Sequence, residues 1–140
     1  MNLYAESSAV LAWLLGEAEG DRVREILSGA TLVLSSDLTL IECDRVLIRA
    51  SGMSGVSEAL VADRRALLNM AAAHWNILRL EGEIVDRARS PFPSEPLRNL
   101  DAIHLASALS ARAIIPGLRL LSLDQRILAS AKVLGFDPLP

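Results

Sequence analysis

Short, continuously apolar runs alternate along the chain with longer segments whose apolar residues recur every three or four positions. The first pattern is typical of strands buried in a parallel sheet, and the second is typical of amphipathic helices. We predict strands at residues 2–5, 31–35, 75–80 and 118–123, with a short edge strand at 136–139. We predict helices at residues 9–15, 21–27, 38–50, 56–73, 82–88, 97–109 and 125–134, with a break at 51–55.

This alternation predicts an α/β fold with a central, mostly parallel sheet of four to five strands flanked by helices. The length of 140 residues favours one domain that spans residues 1–140. Ligands of such sheets bind beyond the carboxyl ends of the strands. Because Glu6 and Asp124 each directly follow a predicted strand, we expect their carboxylates to project into one crevice.

The composition excludes several classes of protein. A hydrophobic fraction of 51% is too high for a disordered chain, and a single cysteine, Cys43, excludes an internal disulfide framework and a cysteine-based zinc site. We see neither a membrane-spanning run nor a secretory signal pattern, so we expect a cytoplasmic protein. The net charge of −3 argues against nucleic-acid binding through a broadly basic surface, so a metal ion or a local arginine cluster would have to attract such a partner.

Two further acids, Glu42 and Asp101, lie on predicted helix faces that are otherwise apolar. A carboxylate in the first turn suits the helix dipole, but a buried one also requires a cation or hydrogen-bond donors. If Glu6, Glu42, Asp101 and Asp124 converge, a divalent cation would relieve their repulsion, and a purely oxygen ligand set suits Mg²⁺ or Mn²⁺. Spacing alone does not establish convergence, because Glu6 also fits a helix-start charge and Asp124 a helix cap.

Four stretches resemble, in order, the four acidic motifs of the PIN-domain family: ESSA at 6–9, LTLIE at 38–42, LRNLDAIHLA at 97–106 and LSLD at 121–124. The third is the most specific, and the resemblance covers essentially the whole chain. The chain looks most like the VapC-type ribonuclease toxins of bacterial toxin–antitoxin pairs. The resemblance implies a Mg²⁺- or Mn²⁺-dependent endoribonuclease with an RNA substrate and a cognate antitoxin protein. Its catalytic and metal-binding residues would be Glu6, Glu42, Asp101 and Asp124.

One departure from the family concerns Glu6, because the family usually has aspartate at that position. The alternative function is therefore a catalytically silent PIN-like binding module with a decayed metal site. A receiver-type phospho-acceptor would need a lysine at a strand end, whereas Lys132 lies inside a predicted helix.

The neighbours of the acids have simpler interpretations. Ser7 or Ser8 would cap the first helix, and His104 would be a packing residue hydrogen-bonded within the fold. Arg98 would either contact an RNA phosphate or pair with Glu95 on the surface.

The predicted helix pair at 38–73 is rich in alanine, leucine and valine and contains Met53 and Met70. This is more apolar surface than one small sheet covers. It predicts a homodimer and a groove for an amphipathic antitoxin segment.

Overall fold

The computed structural model describes residues 1–53 and 55–140. Within these ranges the strands are β1 (Asn2–Ala5), β2 (Leu32–Ser36), β3 (Asn76–Leu78), β4 (Arg119–Leu121) and β5 (Pro138–Leu139). The helices are α1 (Ser7–Leu15), α2 (Gly20–Gly29), α3 (Asp37–Met53), α4 (Glu58–Ala72), α5 (Gly82–Ala88), α6 (Asn99–Ile114) and α7 (Gln125–Val133). None of these described helices combines the length and apolarity needed to cross a bilayer.

The strands form one sheet in the order β3-β2-β1-β4-β5, and every neighbouring pair is parallel. Tyr4 in the central strand lies in register with Leu34 on one side and Leu120 on the other. The predicted parallel α/β architecture is therefore confirmed. Because all the strands run the same way, the segments that follow β1 and β4 emerge side by side at one edge.

The apolar core lies on both faces of the sheet, and β1 contributes to each. Tyr4 packs with Leu105 and Ile127 from α6 and α7. The next residue along the strand, Ala5, packs on the opposite face with Val10 and other residues of α1, α3 and α4. This alternation follows from the two-residue period of a strand. It explains why β1, covered on both faces, is continuously apolar in sequence.

Several predicted helix boundaries were wrong, those of α3 and α6 by the most residues. The break at 51–55 starts too early, because α3 continues through Ser51 and Gly52 to Met53; Ser54 lies outside the described residues. A glycine inside a helix costs only about 1 kcal/mol, which the tertiary contacts of α3 outweigh. The helix predicted at 97–109 begins later, at Asn99, because Arg98 has an extended backbone, and it continues to Ile114.

Candidate active site

The four acids singled out in the sequence line one pocket of about 390 Å³ at the carboxyl edge of the sheet. Glu6 follows β1, Glu42 projects from the second turn of α3, Asp101 from the first turn of α6, and Asp124 precedes α7. Glu6 and Asp101 are buried, whereas about a quarter of the side-chain surface of Glu42 (26%) and Asp124 (28%) is exposed. The topology therefore brings the predicted quartet together.

Glu6 is the N-cap of α1, so the prediction that Ser7 or Ser8 caps this helix was wrong. The long side chain folds back, and its Oε2 accepts a hydrogen bond of 3.1 Å from the backbone N–H of Ser8. The hydroxyls of Ser8 and Ser122 also donate to Oε2, the latter at 2.8 Å, and Ser7 donates to Oε1 at 2.6 Å. These donors offset the cost of burying the carboxylate.

The serines also connect the two strand ends. The backbone N–H groups of Leu123 and Asp124 donate to the Ser8 hydroxyl at 2.9 and 3.1 Å. The backbone N–H of Glu6 donates to the carbonyl of Leu121 at 3.0 Å. Sequence reasoning missed Ser122, because a serine after a strand has no pattern that distinguishes it from other loop serines.

Glu42 is held by residues from two other helices. His104, buried in α6, contacts the Glu42 Oε1 atom through its Nε2 atom, and the Ser7 hydroxyl lies 3.1 Å from the same oxygen. Burial raises the pKa of Glu42, but the hydrogen bond and charge of His104, with smaller contributions from Ser7 and Arg98, outweigh it and lower the pKa below its ordinary value. Ligand atoms of Glu6, Glu42 and His104 lie within 4.8 Å of one another.

Arg98 connects the other two acids. Its guanidinium donates two hydrogen bonds to Asp101, of 2.7 and 3.0 Å, and one of 2.8 Å to Asp124. The predicted pairing with Glu95 was wrong, because the Glu95 oxygens instead accept from the backbone N–H groups of Phe92 and Leu97. Both carboxylates raise the pKa of Arg98.

Asp124 also caps α7, which confirms the prediction that it is a helix cap. Its Oδ1 atom accepts from the backbone N–H groups of Arg126 and Ile127 at 2.8 and 3.4 Å. Burial raises the pKa of Asp124, but these two amides and Arg98 outweigh it, so its pKa lies below the ordinary value. The carboxylate is thus both a cap and a member of the acid pocket.

The pocket therefore consists of two halves. Glu6 and Glu42 are stabilised by serine hydroxyls and His104, and Asp101 and Asp124 by Arg98. Carboxylate oxygens from four different segments, two of them partly exposed, form a ligand set that fits a hard divalent cation. Another cavity, of about 560 Å³ between α5 and α6, is lined mainly by aliphatic side chains and offers no comparable ligand set.

A model of the family described as PIN domain matches residues 3–136. Ribonuclease VapC46 of Mycobacterium tuberculosis is 36% identical over 133 residues, which cover 95% of this chain and 92% of that protein. A toxin–antitoxin complex from Klebsiella pneumoniae has a chain with the same fold, at a TM-score of 0.66 and 19% identity over 100% of this chain and 97% of that one.

The crystal structure of the toxin VapC20 of M. tuberculosis, which is described as cleaving the sarcin–ricin loop, also has the same fold. Its TM-score is 0.66 at 15% identity, with 96% of each chain covered. The family model, the identity to VapC46 and the resemblance of the acidic motifs agree along essentially the whole chain. The chain therefore belongs to the PIN-domain family, among its VapC-like ribonuclease toxins.

Proposed function

We propose that this protein is a metal-dependent endoribonuclease that hydrolyses RNA phosphodiester bonds and acts as the toxin of a toxin–antitoxin pair in the cytoplasm. The supporting observation is the convergence of four carboxylates in one pocket at the carboxyl edge of a parallel sheet. A cluster of this kind without cations is unfavourable, and the guanidinium of Arg98, which contacts the pocket, reaches only Asp101 and Asp124. Membership of a ribonuclease family supports the same reaction.

Glu6, Glu42, Asp101 and Asp124 would hold the ion, and their oxygen ligands suit Mg²⁺ or Mn²⁺. When bound, such an ion orients water and stabilises charge at phosphorus. Arg98 competes for the same oxygens of Asp101 and Asp124. Because 54% of its side chain is exposed, Arg98 is free to leave these acids and bind an RNA phosphate, to which its planar guanidinium is suited.

The test is cleavage of total RNA by the purified protein with Mg²⁺, with Mn²⁺ or with excess EDTA. We expect cleavage with either ion and none with the chelator, and no cleavage by the Asp101→Asn variant purified in parallel. Unchanged cleavage in EDTA would contradict the metal dependence. Absence of both Mn²⁺ binding and RNA cleavage would instead favour the silent binding module with a decayed metal site.

The proposed partners are a second copy of this chain and an amphipathic antitoxin segment. Apolar side chains on α3 and α4 support this proposal, since Met53 is 79% and Met70 68% exposed. We expect a dimer in sedimentation equilibrium that Met70→Glu weakens. Val133→Glu is the matched control, because Val133 is 60% exposed on α7, outside this helix pair. A parent protein that is monomeric at high concentration would contradict the dimer, and a lack of affinity for the small protein encoded beside it would contradict the antitoxin.

A further inference from the structure

We infer that His104 is a positioning residue, which holds Glu42 by donating the hydrogen on its Nε2 atom and is not itself a metal ligand. This role rests on the proposed function, since Glu42 is a proposed ligand. His104 is 1% exposed and lies one helical turn after Asp101, so its ring borders the acid pocket. Ordinary packing does not account for the atoms that surround it.

The surroundings of Nε2 require a hydrogen on that atom. Nε2 contacts Glu42 Oε1 and lies 3.5 Å from Glu6 Oε1, and ionised carboxylate oxygens only accept hydrogen bonds. A bare ring nitrogen would direct its lone pair at the lone pairs of these oxygens. We therefore assign the ring hydrogen to Nε2 on hydrogen-bonding grounds.

Ser7 does not remove the need for this donor. The Ser7 hydroxyl has one hydrogen, which it donates to Glu6 Oε1 at 2.6 Å in preference to Glu42 Oε1 at 3.1 Å or His104 Nε2 at 3.4 Å. The Oε1 atom of Glu42 therefore depends on His104 for its hydrogen-bond donor. Through this bond, α6 fixes a side chain that projects from α3.

The opposite side of the ring supports the same assignment. Among the described residues, the buried Nδ1 atom of His104 has no hydrogen-bond partner. If Nε2 bound a metal ion, the ring hydrogen would have to move to Nδ1, where no described residue offers an acceptor. Histidines that bind metals almost always donate their second N–H to a carboxylate, a carbonyl or water. The surroundings of both ring nitrogens therefore favour a hydrogen on Nε2.

Substitutions at His104 distinguish a donor from a ligand. The amide nitrogen of glutamine extends about as far from the backbone as Nε2, whereas that of asparagine extends only about as far as Nδ1. We expect His104→Gln to keep the Mn²⁺ affinity of the parent, measured by titration calorimetry without RNA. We expect His104→Asn and His104→Leu to weaken it by about 10- to 100-fold, as loss of a residue that orients a ligand does.

Two results with these variants would overturn the inference. If His104→Gln loses as much affinity as His104→Leu while urea unfolding shows that both are folded, a nitrogen lone pair is required and His104 is a ligand. If His104→Leu binds Mn²⁺ as tightly as the parent, the histidine positions nothing.

A second measurement on the unmodified protein does not depend on the folding of the variants or on metal binding. Proton–nitrogen correlation spectra of the metal-free protein report which ring nitrogen has the hydrogen, and the chain has only two histidines. We expect a hydrogen on Nε2 of His104; a neutral ring protonated only on Nδ1 would overturn the inference. A parent that binds no divalent ion would contradict the proposed function but would leave this assignment standing.

Discussion

Substituting Glu6 with glutamine separates the part this residue plays in folding from its proposed part as a metal ligand. Glu6 is 3% exposed, and its oxygens accept from the backbone of Ser8 and from the hydroxyls of Ser7, Ser8 and Ser122. Hydrogen bonds to a charged group contribute about 1.5–3 kcal/mol each and neutral ones about 0.5–1.5 kcal/mol. The amide oxygen of glutamine can still accept from Ser8 and Ser122, and the Ser7 hydroxyl can turn to accept from the new amide nitrogen. We therefore expect a loss of about 1–3 kcal/mol in the free energy of unfolding.

Glu6→Ala gives the upper limit of the structural effect. It would leave the buried hydroxyl of Ser122 and the N–H of Ser8 without their acceptor, and Ser7 with only its longer contact to Glu42, at a cost of about 3–5 kcal/mol. Glu6→Asp is the matched control for charge, because it keeps the carboxylate that the family usually has. It removes one buried methylene, worth about 0.8 kcal/mol, and aspartate remains a good N-cap.

The oxygen available to a metal ion is Oε1. Among the described residues, three donors converge on Oε2, whereas Oε1 accepts a single hydrogen bond, from Ser7, whose hydrogen can turn towards Glu42 Oε1 at 3.1 Å. A ligand present at about 100 times its dissociation constant adds about 2.7 kcal/mol to the stability of the folded state. We expect the parent and Glu6→Asp to gain stability of this order from Mn²⁺, and Glu6→Gln to lose most of the gain.

The assay is urea unfolding followed by circular dichroism, first in EDTA and then in Mn²⁺. The series in EDTA measures how much stability each substitution removes by itself. The difference between the two series measures how much bound Mn²⁺ stabilises each protein. If Mn²⁺ stabilises Glu6→Gln as much as the parent, Glu6 is only the cap of α1, and the ion is held by the other three acids. If Glu6→Asp loses the gain as completely as Glu6→Gln, the length of the side chain matters rather than its charge.

Three further predictions concern the remaining charged groups. Asp101→Asn should lower Mn²⁺-supported cleavage by at least about 100-fold with little change in unfolding, and near-normal turnover would contradict a catalytic role. Arg98→Gln should tighten Mn²⁺ binding in calorimetry more than Arg126→Gln does, because Arg98 alone of the two donates to the acids from its side chain; equal effects would contradict direct competition. The lowered pKa values of Glu42 and Asp124 mean that their stabilising contribution is present above about pH 4 and is lost as the pH falls further. Urea unfolding in EDTA should therefore show stability falling below that pH, and less steeply for Glu42→Gln.

The sequence predicted the fold, and it predicted that Glu6 and Asp124 lie at the same edge of the sheet. The continuously apolar runs indicated strands covered on both faces, and parallel strands end at one edge. The adjacency of β1 and β4 is set by the strand order, and the convergence of all four acids was expected only from the family resemblance. The placement of Glu42 on a largely apolar helix face was equally informative. Whether the four acids bind a metal or catalyse a reaction stays a prediction.

The partners of the acids were harder to predict, for two physical reasons. Arg98 has a long side chain that reaches several acids, and the choice of Asp101 and Asp124 over Glu95 depended on the turn that leads into α6. Asp101 does lie three residues after Arg98, a spacing at which side chains meet on a helix, and this signal favoured the observed pair. Ser122 reaches Glu6 only through the tertiary fold, so its contact has no counterpart in local sequence.

The two halves of the pocket differ in how easily their acids can change partners. Most donors to Glu6 and Glu42 belong to the buried side chains of Ser7, Ser122 and His104, so breaking these bonds would leave polar groups unpaired inside the protein. Arg98 is half exposed, and an ion pair that is open to solvent is only weakly stabilising. Asp101 and Asp124 can therefore exchange Arg98 for another cation, because water can hydrogen-bond the released guanidinium. When a divalent cation binds, we therefore expect Arg98 to change its contacts with Asp101 and Asp124. The hydrogen bonds of His104 and the serines to Glu6 and Glu42 should stay as they are. This asymmetry explains why the Arg98 and His104 substitutions should change metal affinity in opposite directions.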